Sequence, residues 1–305
     1  MLYRDFGRTG WKVSAIGLGT WNIGNQWGPV DEPTAFATVR AAFDHGMNLF
    51  DAAESYGLPN GLSEERLGRA LAGIRHEVFV VSKIGNWGKR TGQEVPKTSV
   101  DMIRLCAHAS LHRLRTDYHD VLLCHEGEIE DPSVYLDGFR ALQEEGRLRC
   151  YGISTNSLEA LRRFNRDGGC KVVQVDWSII QRRCEAELLP YCRAQEIAVM
   201  VRGPLAKGLL SGRYTAESVF TDDIRSGYNE GGAGREQYLE QLRQVDRLRE
   251  RVEPQDMIST ALGYVISHPV NPVAIPGARS PEQAAMNAAA GDDELSEDEL
   301  ERLRV

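Results

Sequence analysis

Four polar side chains lie at or just beyond the ends of short apolar runs: Asp51, Tyr56, Lys83 and His125. A tyrosine has an ordinary pKa of about 10 and is a poor acid at neutral pH, but a neighbouring ammonium favours its phenolate. We expect Lys83 to supply that charge to Tyr56, and Asp51 to keep Lys83 charged and oriented. His125 can then orient a substrate oxygen or relay the proton. Together these residue types predict proton transfer of the kind that accompanies carbonyl reduction.

These side chains can meet only if a fold brings the ends of their strands together. Short apolar runs alternate with longer amphipathic stretches, a pattern that favours repeated βα units around a parallel sheet. The predicted strands are 14–20, 47–52, 78–84, 120–126, 149–155, 171–177, 197–203 and 271–277. The predicted helices are 32–45, 62–73, 98–115, 132–145, 157–166, 184–195, 256–268 and 281–290. This alternation, without a break in composition, predicts one α/β domain over 1–305, a closed (β/α)8 TIM barrel whose strand ends share one face.

An open, doubly wound sheet is the alternative architecture, and it favours a first turn of the form G-x-G-x-x-G. The first strand instead gives GLGTWN at 17–22, which lacks the third glycine. Residues 1–13, with a turn at 8–10, are predicted to form a β-hairpin that plugs the bottom of the barrel. Residues 204–255 form a long loop after the seventh strand, with no regular helix before 256 and a glycine-rich, mobile middle at 228–236.

Composition narrows the classes of partner. The net charge of −8 disfavours binding to nucleic acid or to an anionic membrane surface. No apolar stretch approaches the roughly 20 residues of a membrane span, and the N-terminal MLYRDFGRTG shows no signal peptide. The six cysteines form no C-x-x-C pair, and His108 and His112 lack the intervening glutamate of a zinc helix. We therefore expect a cytoplasmic protein with reduced thiols, no metal site and a small-molecule substrate.

Eight segments carry a resemblance to a known family by their order and spacing. They are GLGTW (17–21), FDAAESYG (50–57), VVSKIG (80–85), DVLLCHE (120–126), YGIST (151–155), QVDW (174–177), GPLAKGLLSGRY (203–214) and IPGARSPEQAAMN (275–287). On these motifs the chain resembles the aldo-keto reductase family over essentially its whole length. The resemblance implies a nicotinamide cofactor, NADP(H) with NAD(H) as the alternative, extended over the barrel mouth. It also implies that Asp51, Tyr56, Lys83 and His125 form a catalytic tetrad in which Tyr56 is the general acid.

The same resemblance implies the residues that bind cofactor and substrate. Ser154 and Gln174 would hold the carboxamide, and 203–213 would form a belt over the pyrophosphate. Arg279, Gln283 and Asn287 would face the adenosine. The full cofactor set is Thr20, Trp21, Asp51, Ser154, Thr155, Gln174, Arg202, Gly203, Pro204, Leu205, Gly208, Ser211, Arg213, Arg225, Gly277, Arg279, Gln283 and Asn287. The substrate set is Trp21, Trp27, Tyr56, Trp87 and His125.

Three positions depart from the family pattern. Thr155 follows Ser154 where an asparagine often stands. Arg202 replaces the aromatic residue that commonly lies under the nicotinamide, so a guanidinium would stack there. Gly277 stands where many NADPH-dependent members carry a lysine, so the 2′-phosphate contact would fall to other cations. The candidates for that contact are Arg213, Arg225 and Arg279.

The resemblance implies reduction of an aldehyde or ketone to an alcohol. The alternative is a cofactor-binding regulatory subunit of the same fold with weak or no turnover. The short acidic loop 126–131 favours a polar, sugar-like substrate and disfavours an anionic one.

Overall fold

The computed structural model describes residues 1–303, in which a short hairpin precedes a closed parallel barrel. The hairpin strands are β1 (Tyr3–Asp5) and β2 (Lys12–Ser14). The barrel strands are β3 (Leu18–Gly19), β4 (Leu49–Asp51), β5 (Phe79–Ile84), β6 (His119–Cys124), β7 (Leu148–Ser154), β8 (Val172–Asp176), β9 (Ala198–Arg202) and β10 (Val273–Ala274). Consecutive barrel strands pair in parallel, and bridges from Ile16 to Ala274 and from Gly19 to Gly277 join the first strand to the last. The predicted (β/α)8 barrel is confirmed.

Helices follow the barrel strands in sequence. In the described part of the chain they are α1 (Glu32–Asp44), α2 (Leu62–Ala70), α3 (Val100–Leu114), α4 (Ser133–Glu144), α5 (Leu158–Phe164), α6 (Leu188–Ala194), α7 (Arg235–Arg249), α8 (Met257–Ile266), α9 (Pro281–Ala289) and α10 (Glu297–Arg302). Asp31, Ser99, Ser157 and Ser280 each accept a hydrogen bond from a backbone N–H three residues further on. These N-caps fix the starts of α1, α3, α5 and α9 close to the predicted positions.

The long connection before the eighth barrel strand contains a helix that the sequence analysis did not predict. The buried side chains of α7 are Tyr238, Leu242, Val245 and Leu248. They lie at helical spacing on one face, while charged side chains fill most other positions and weaken the apolar pattern. Tyr228 and Tyr238 stack with ring centroids 5.1 Å apart. The expectation that 204–255 lacks a helix was therefore wrong, because one narrow apolar face is enough to dock α7 on this aromatic cluster.

Side chains of the barrel strands alternate between the barrel interior and the helix layer. On β6, Val121 and Leu123 belong to the interior cluster, whereas Leu122 and Cys124 join the cluster that contains the helix side chains. Phe6 of the hairpin region is 1% exposed and packs into the interior cluster, as expected for a plug. Apolar side chains thus fill the interior below the carboxyl ends of the strands, where the polar side chains converge.

Several sequence features have simple structural outcomes. Within residues 1–303 no helix has the length and apolarity needed to cross a membrane. The described His, Cys, Asp and Glu side chains form no group of three suited to a metal ion. The ring of His108 instead places Nε2 3.0 Å from the Glu145 carboxylate. All six cysteines are free thiols.

Candidate active site

A buried ion pair forms the base of the site. Lys83 Nζ donates to both carboxylate oxygens of Asp51 at 2.7 Å and to the Ala52 carbonyl at 2.8 Å. The two charged side chains are 0% and 3% exposed. Burial alone would lower the pKa of Lys83, but the Asp51 carboxylate and the Tyr56 phenol together raise it. Lys83 is therefore an ammonium at neutral pH, held in one position by two neighbouring strands.

Tyr56 lies directly above this pair. Lys83 Nζ is 4.6 Å from the centroid of the Tyr56 ring. The ring stacks on Trp21 at 5.4 Å and meets the edge of His125 at 5.9 Å. Burial raises the pKa of Tyr56 above its ordinary value, and Lys83 offsets only part of that effect. Lys83 thus acts on the Tyr56 pKa in the expected direction, but burial outweighs it, so Tyr56 holds its proton at neutral pH, as a general acid must.

His125 forms the second wall of the same pocket. Its backbone is fixed by hydrogen bonds to the Ile84 carbonyl at 2.8 Å and from the Asn86 side chain at 2.9 Å. Burial, followed by the charges of Lys83, Arg202 and other cations, lowers the pKa of His125 well below its usual range. The imidazole is therefore neutral, and within residues 1–303 its buried Nδ1 has no hydrogen-bond partner. A neutral imidazole can donate to or accept from a substrate oxygen.

Two buried residues that the sequence analysis did not identify hold the tetrad in place. Gln26 Oε1 accepts hydrogen bonds from the Trp21 indole and, at 3.0 Å, from the backbone N–H of Gly57. Glu54 accepts from the backbone N–H of Gly85 at 2.8 Å and pairs with Lys97 at 3.3 Å. Glu54 lies inside the FDAAESYG segment, so its proximity to Tyr56 was the available signal.

Ser154, the last residue of β7, pairs with Gln174 in the middle of β8, so the two residues expected to contact the carboxamide are neighbours. Gln174 Nε2 donates to Asp51 at 2.8 Å, while no group of residues 1–303 donates to its buried Oε1. The Thr155 hydroxyl donates to the Gly127 carbonyl at 2.6 Å and accepts from the Ser157 N–H at 2.9 Å. Thr155 therefore shapes the turn, and Gln174 retains an acceptor of the kind that an amide NH₂ requires.

Arg202 reaches the mouth of the barrel at the end of β9. Its guanidinium lies 3.5 Å from the Asp176 carboxylate and 3.4 Å from the Asn156 side-chain oxygen. The side chain is 40% exposed, so this pair is only partly shielded from solvent. Stacking of Arg202 on a nicotinamide stays a prediction, and the structure adds Asp176 as the carboxylate that would share its charge.

The belt after β9 has an unusual backbone. Ala206, Lys207 and Gly208 have φ values of 47°, 56° and 92°, in succession after Leu205 at −102°. Non-glycine residues in this region cost roughly 1–2 kcal/mol each, so the surrounding contacts must impose the conformation. The Ser211 hydroxyl supports it by donating to the Gly208 carbonyl at 2.7 Å. Turns that change sign in this way form anion-binding concavities, which fits the expected pyrophosphate belt from Gly203 and Pro204 onward.

The three candidate phosphate-binding arginines differ in what already contacts them. Arg225 makes the most hydrogen bonds of the three, with two of 2.8–2.9 Å to Asp222 and one of 2.8 Å to the Tyr214 hydroxyl. Among the described groups, Arg213 makes one hydrogen bond, to the Ser211 hydroxyl at 3.1 Å, and lies 5.9 Å from the centroid of the Tyr214 ring. Arg279 donates to the Pro29 carbonyl at 3.1 Å. We therefore expect Arg213 and Arg279, rather than Arg225, to have donors left for a phosphate.

The turn between β10 and α9 is shaped by the residues expected to face the adenosine. Gln283 accepts from the Arg279 backbone N–H at 2.9 Å, and Asn287 donates to the Gly277 carbonyl at 3.3 Å. A Cβ at Gly277 would lie 1.8 Å from the side-chain oxygen of Asn22. Asn22 therefore occupies the space that a larger residue at Gly277 would need.

Aromatic side chains line the mouth. Trp27 packs edge-on against Trp21 at 5.1 Å, and the Thr20 hydroxyl beneath them donates to the Asp51 carbonyl at 2.9 Å. Trp87 lines a cavity of about 350 Å³ between the loops 86–96 and 126–129. The structure thus brings Trp21 to Tyr56, and sets Trp87 on an adjoining cavity.

Comparison with known proteins agrees with this geometry. A family model described as the aldo/keto reductase family matches residues 15–305. The chain is 33% identical to aldo-keto reductase YhdN of Bacillus subtilis, over 93% of this chain and 86% of the relative. It is 31% identical to the NADH-specific methylglyoxal reductase of Escherichia coli, over 98% of this chain and 96% of the relative.

Two solved structures share the fold. The holo form of aldo-keto reductase AKR11C1 from Bacillus halodurans has a TM-score of 0.82 at 27% identity, covering 100% of this chain and 95% of that one. An aldo/keto reductase from Klebsiella pneumoniae in complex with NADP and acetate has a TM-score of 0.72 at 32% identity, covering 98% of this chain and 92% of that one. The chain belongs to the aldo/keto reductase family.

Proposed function

We propose that the protein reduces an aldehyde or ketone to an alcohol, with Tyr56 as the general acid that protonates the carbonyl oxygen. The observation that carries this proposal is the position of Lys83, with its ammonium between the Asp51 carboxylate and the Tyr56 ring. A buried cation beside a protonated phenol is arranged to stabilise the phenolate that proton donation leaves behind.

The cofactor that we propose is NADP(H), with NAD(H) as the alternative. The free acceptor of Gln174 fits the amide of a nicotinamide, and the left-handed backbone at 206–208 fits a pyrophosphate. The complex of the Klebsiella neighbour with NADP favours the phosphorylated form, whereas the Escherichia coli relative is named as NADH-specific. When bound, the reduced nicotinamide would supply the hydride that the carbonyl carbon accepts.

The residues of this chain would carry out the remaining steps. The substrate oxygen would lie between the Tyr56 hydroxyl and the neutral His125 ring, which fixes the carbonyl for attack. As negative charge develops on that oxygen, Tyr56 gives up its proton and becomes a phenolate. Lys83 Nζ lies 4.6 Å from the centroid of the Tyr56 ring and attracts that phenolate. For two unit charges ~4 Å apart at an effective dielectric of about 20, such an attraction is about 4 kcal/mol before screening. Asp51 keeps the ammonium in position, and solvent then returns a proton to Tyr56.

Turnover separates this proposal from a cofactor-binding regulatory subunit. The purified protein should oxidise NADPH or NADH in the presence of an activated aldehyde such as 4-nitrobenzaldehyde. The rate is measured as the loss of reduced-nicotinamide absorbance. Tight cofactor binding without turnover across a panel of aldehydes, ketones and sugars would favour the regulatory role. The expected location is the cytoplasm, as the sequence analysis predicts.

A further inference from the structure

Arg90 lies at the mouth of the pocket, on a turn over Lys89–Thr91 in the loop between β5 and α3. Its guanidinium carbon is 4.5 Å from the centroid of the Trp21 ring, and Trp21 stacks on Tyr56 at 5.4 Å. Added together, these two distances place the Arg90 guanidinium carbon at most about 10 Å from the centroid of the Tyr56 ring. Arg90 is also among the cations that lower the pKa of His125.

The other cations at this mouth already have carboxylate partners. Lys89 reaches Glu94 at 4.0 Å, and Arg202 reaches Asp176 at 3.5 Å. Within residues 1–303, Arg90 contacts the Trp21 ring but forms no ion pair and no hydrogen bond. Asp223 acts on it electrostatically from beyond ion-pair distance. Arg90 thus presents an unpartnered guanidinium beside the substrate pocket.

Two of the four carboxylates in the acidic loop after His125 have partners on the helix that follows it. Glu126 accepts a hydrogen bond from the Tyr135 hydroxyl at 2.5 Å, toward α4. Asp131 accepts from the Ser133 backbone N–H at 3.0 Å at the start of the same helix. The expectation that 126–131 disfavours an anionic substrate rested on charge along the sequence, and in the structure these two carboxylates have partners on α4.

We propose that Arg90 binds a carboxylate of the substrate, so that the preferred substrates are small aldehydes or ketones that carry a carboxylate beyond the carbonyl. This inference rests on the proposed function and names its substrate class. The cation–π contact with Trp21 positions the guanidinium, and its N–H groups, which have no hydrogen-bond partner, can make a bidentate contact. The carbonyl would then meet Tyr56 and His125 while the carboxylate meets Arg90.

The test compares matched acids and esters. Initial rates are measured for 3- and 4-formylbenzoate and for their methyl esters, in wild type, Arg90→Gln and Arg90→Lys. Lys89→Gln is the control. It also removes one positive charge, at the neighbouring position, but the Lys89 side chain already has Glu94 as its partner. In wild type we expect kcat/KM to favour at least one carboxylate over its ester, and Arg90→Gln to lower that value by about tenfold. The ester should change by less than about twofold, and Arg90→Lys should retain part of the preference.

Two further readouts make the outcome decisive. The preference for the acid should fall as ionic strength rises, since Arg90 is close to solvent. The affinity for NADPH and the melting temperature of Arg90→Gln should match those of wild type. Equal losses on acid and ester, no preference in wild type, or a loss of cofactor affinity would overturn the role of Arg90. Failure of wild type to reduce either ester or acid would instead contradict the proposed function.

Discussion

Glu54 and Lys97 form an ion pair of 3.3 Å in which the side chains are 2% and 1% exposed. Glu54 also binds the backbone N–H of Gly85, so one carboxylate holds both ends of the loop 86–96. That loop carries Trp87 and Arg90, and Glu54 is two residues from Tyr56. The wall of the substrate pocket and the proposed acid are therefore tied to the same buried group.

Replacement of Lys97 by methionine should destabilise the protein strongly. It leaves the Glu54 carboxylate buried without its cation, and the loss of one partner of a buried pair typically costs about 3–5 kcal/mol. Urea unfolding measures the loss, and limited proteolysis should show earlier cleavage within 86–96. Lys12→Met is the matched control, because Lys12 pairs with Asp5 at 2.9 Å but both side chains are more than two-thirds exposed. Similar losses in the two variants would contradict this role of the buried pair.

Tyr56→Phe should lower kcat by a factor of about 100 or more, since general acid catalysis contributes of that order. The affinity for NADPH should change little, because the hydroxyl is proposed to act on the substrate oxygen. Steady-state kinetics and a fluorescence titration of the cofactor measure the two effects. Tyr3→Phe removes a hydroxyl at the far hairpin and should leave both unchanged. If Tyr56→Phe abolished cofactor binding, the assignment of the acid would be wrong.

Lys83→Met should shift the pH dependence of alcohol oxidation to higher pH. Burial raises the pKa of Tyr56 and Lys83 opposes that rise, so removal of the ammonium raises the pKa further. Oxidation requires the phenolate as the base, and the residual rate should therefore reach its plateau only at more alkaline pH. The measurement is a pH profile of kcat/KM for wild type and variant with the same alcohol. An unchanged profile in a residually active variant would rule out electrostatic coupling between the two side chains.

His119 should make stability depend on pH in the acidic range. Burial lowers the pKa of His119 to about 3, from an ordinary value of about 6.5. At a pH between these two values, His119 binds a proton in the unfolded chain but not in the folded chain. Stability contributed by the neutral ring is then fully present above pH 6.5 and is lost as pH falls toward 3. Between about pH 6 and pH 4, His119→Asn should reduce the slope of unfolding free energy against pH by about 1.4 kcal/mol per unit.

Urea unfolding at several pH values measures this slope, which does not depend on any loss of packing that the smaller side chain causes. His76→Asn, at an exposed histidine, is the matched control. A wild-type slope in the His119→Asn variant would show that another group takes up the proton.

The sequence predicted the features that local pattern determines. Because side chains alternate along a strand, His125 was expected to point away from the side to which Cys124 points. Because the carboxyl ends of parallel strands share one face of the barrel, Asp51 and Lys83 were expected to lie close together there. The sequence therefore predicted that the four side chains converge. The state of Tyr56 could not, because its pKa depends on how deeply the ring is buried. Nor could the pairing of Arg202 with Asp176, which depends on the register of two strands.

Asn22 affects whether this barrel can acquire a lysine at position 277, where a positive charge could contact a phosphate. Its side-chain oxygen fills the place where a Cβ at Gly277 would sit. A lysine introduced there first would force Asn22 to turn aside, whereas a lysine introduced after Asn22→Gly would meet none of these side-chain atoms. The two positions are thus epistatic, and the effect of a larger residue at position 277 depends on which side chain stands at position 22.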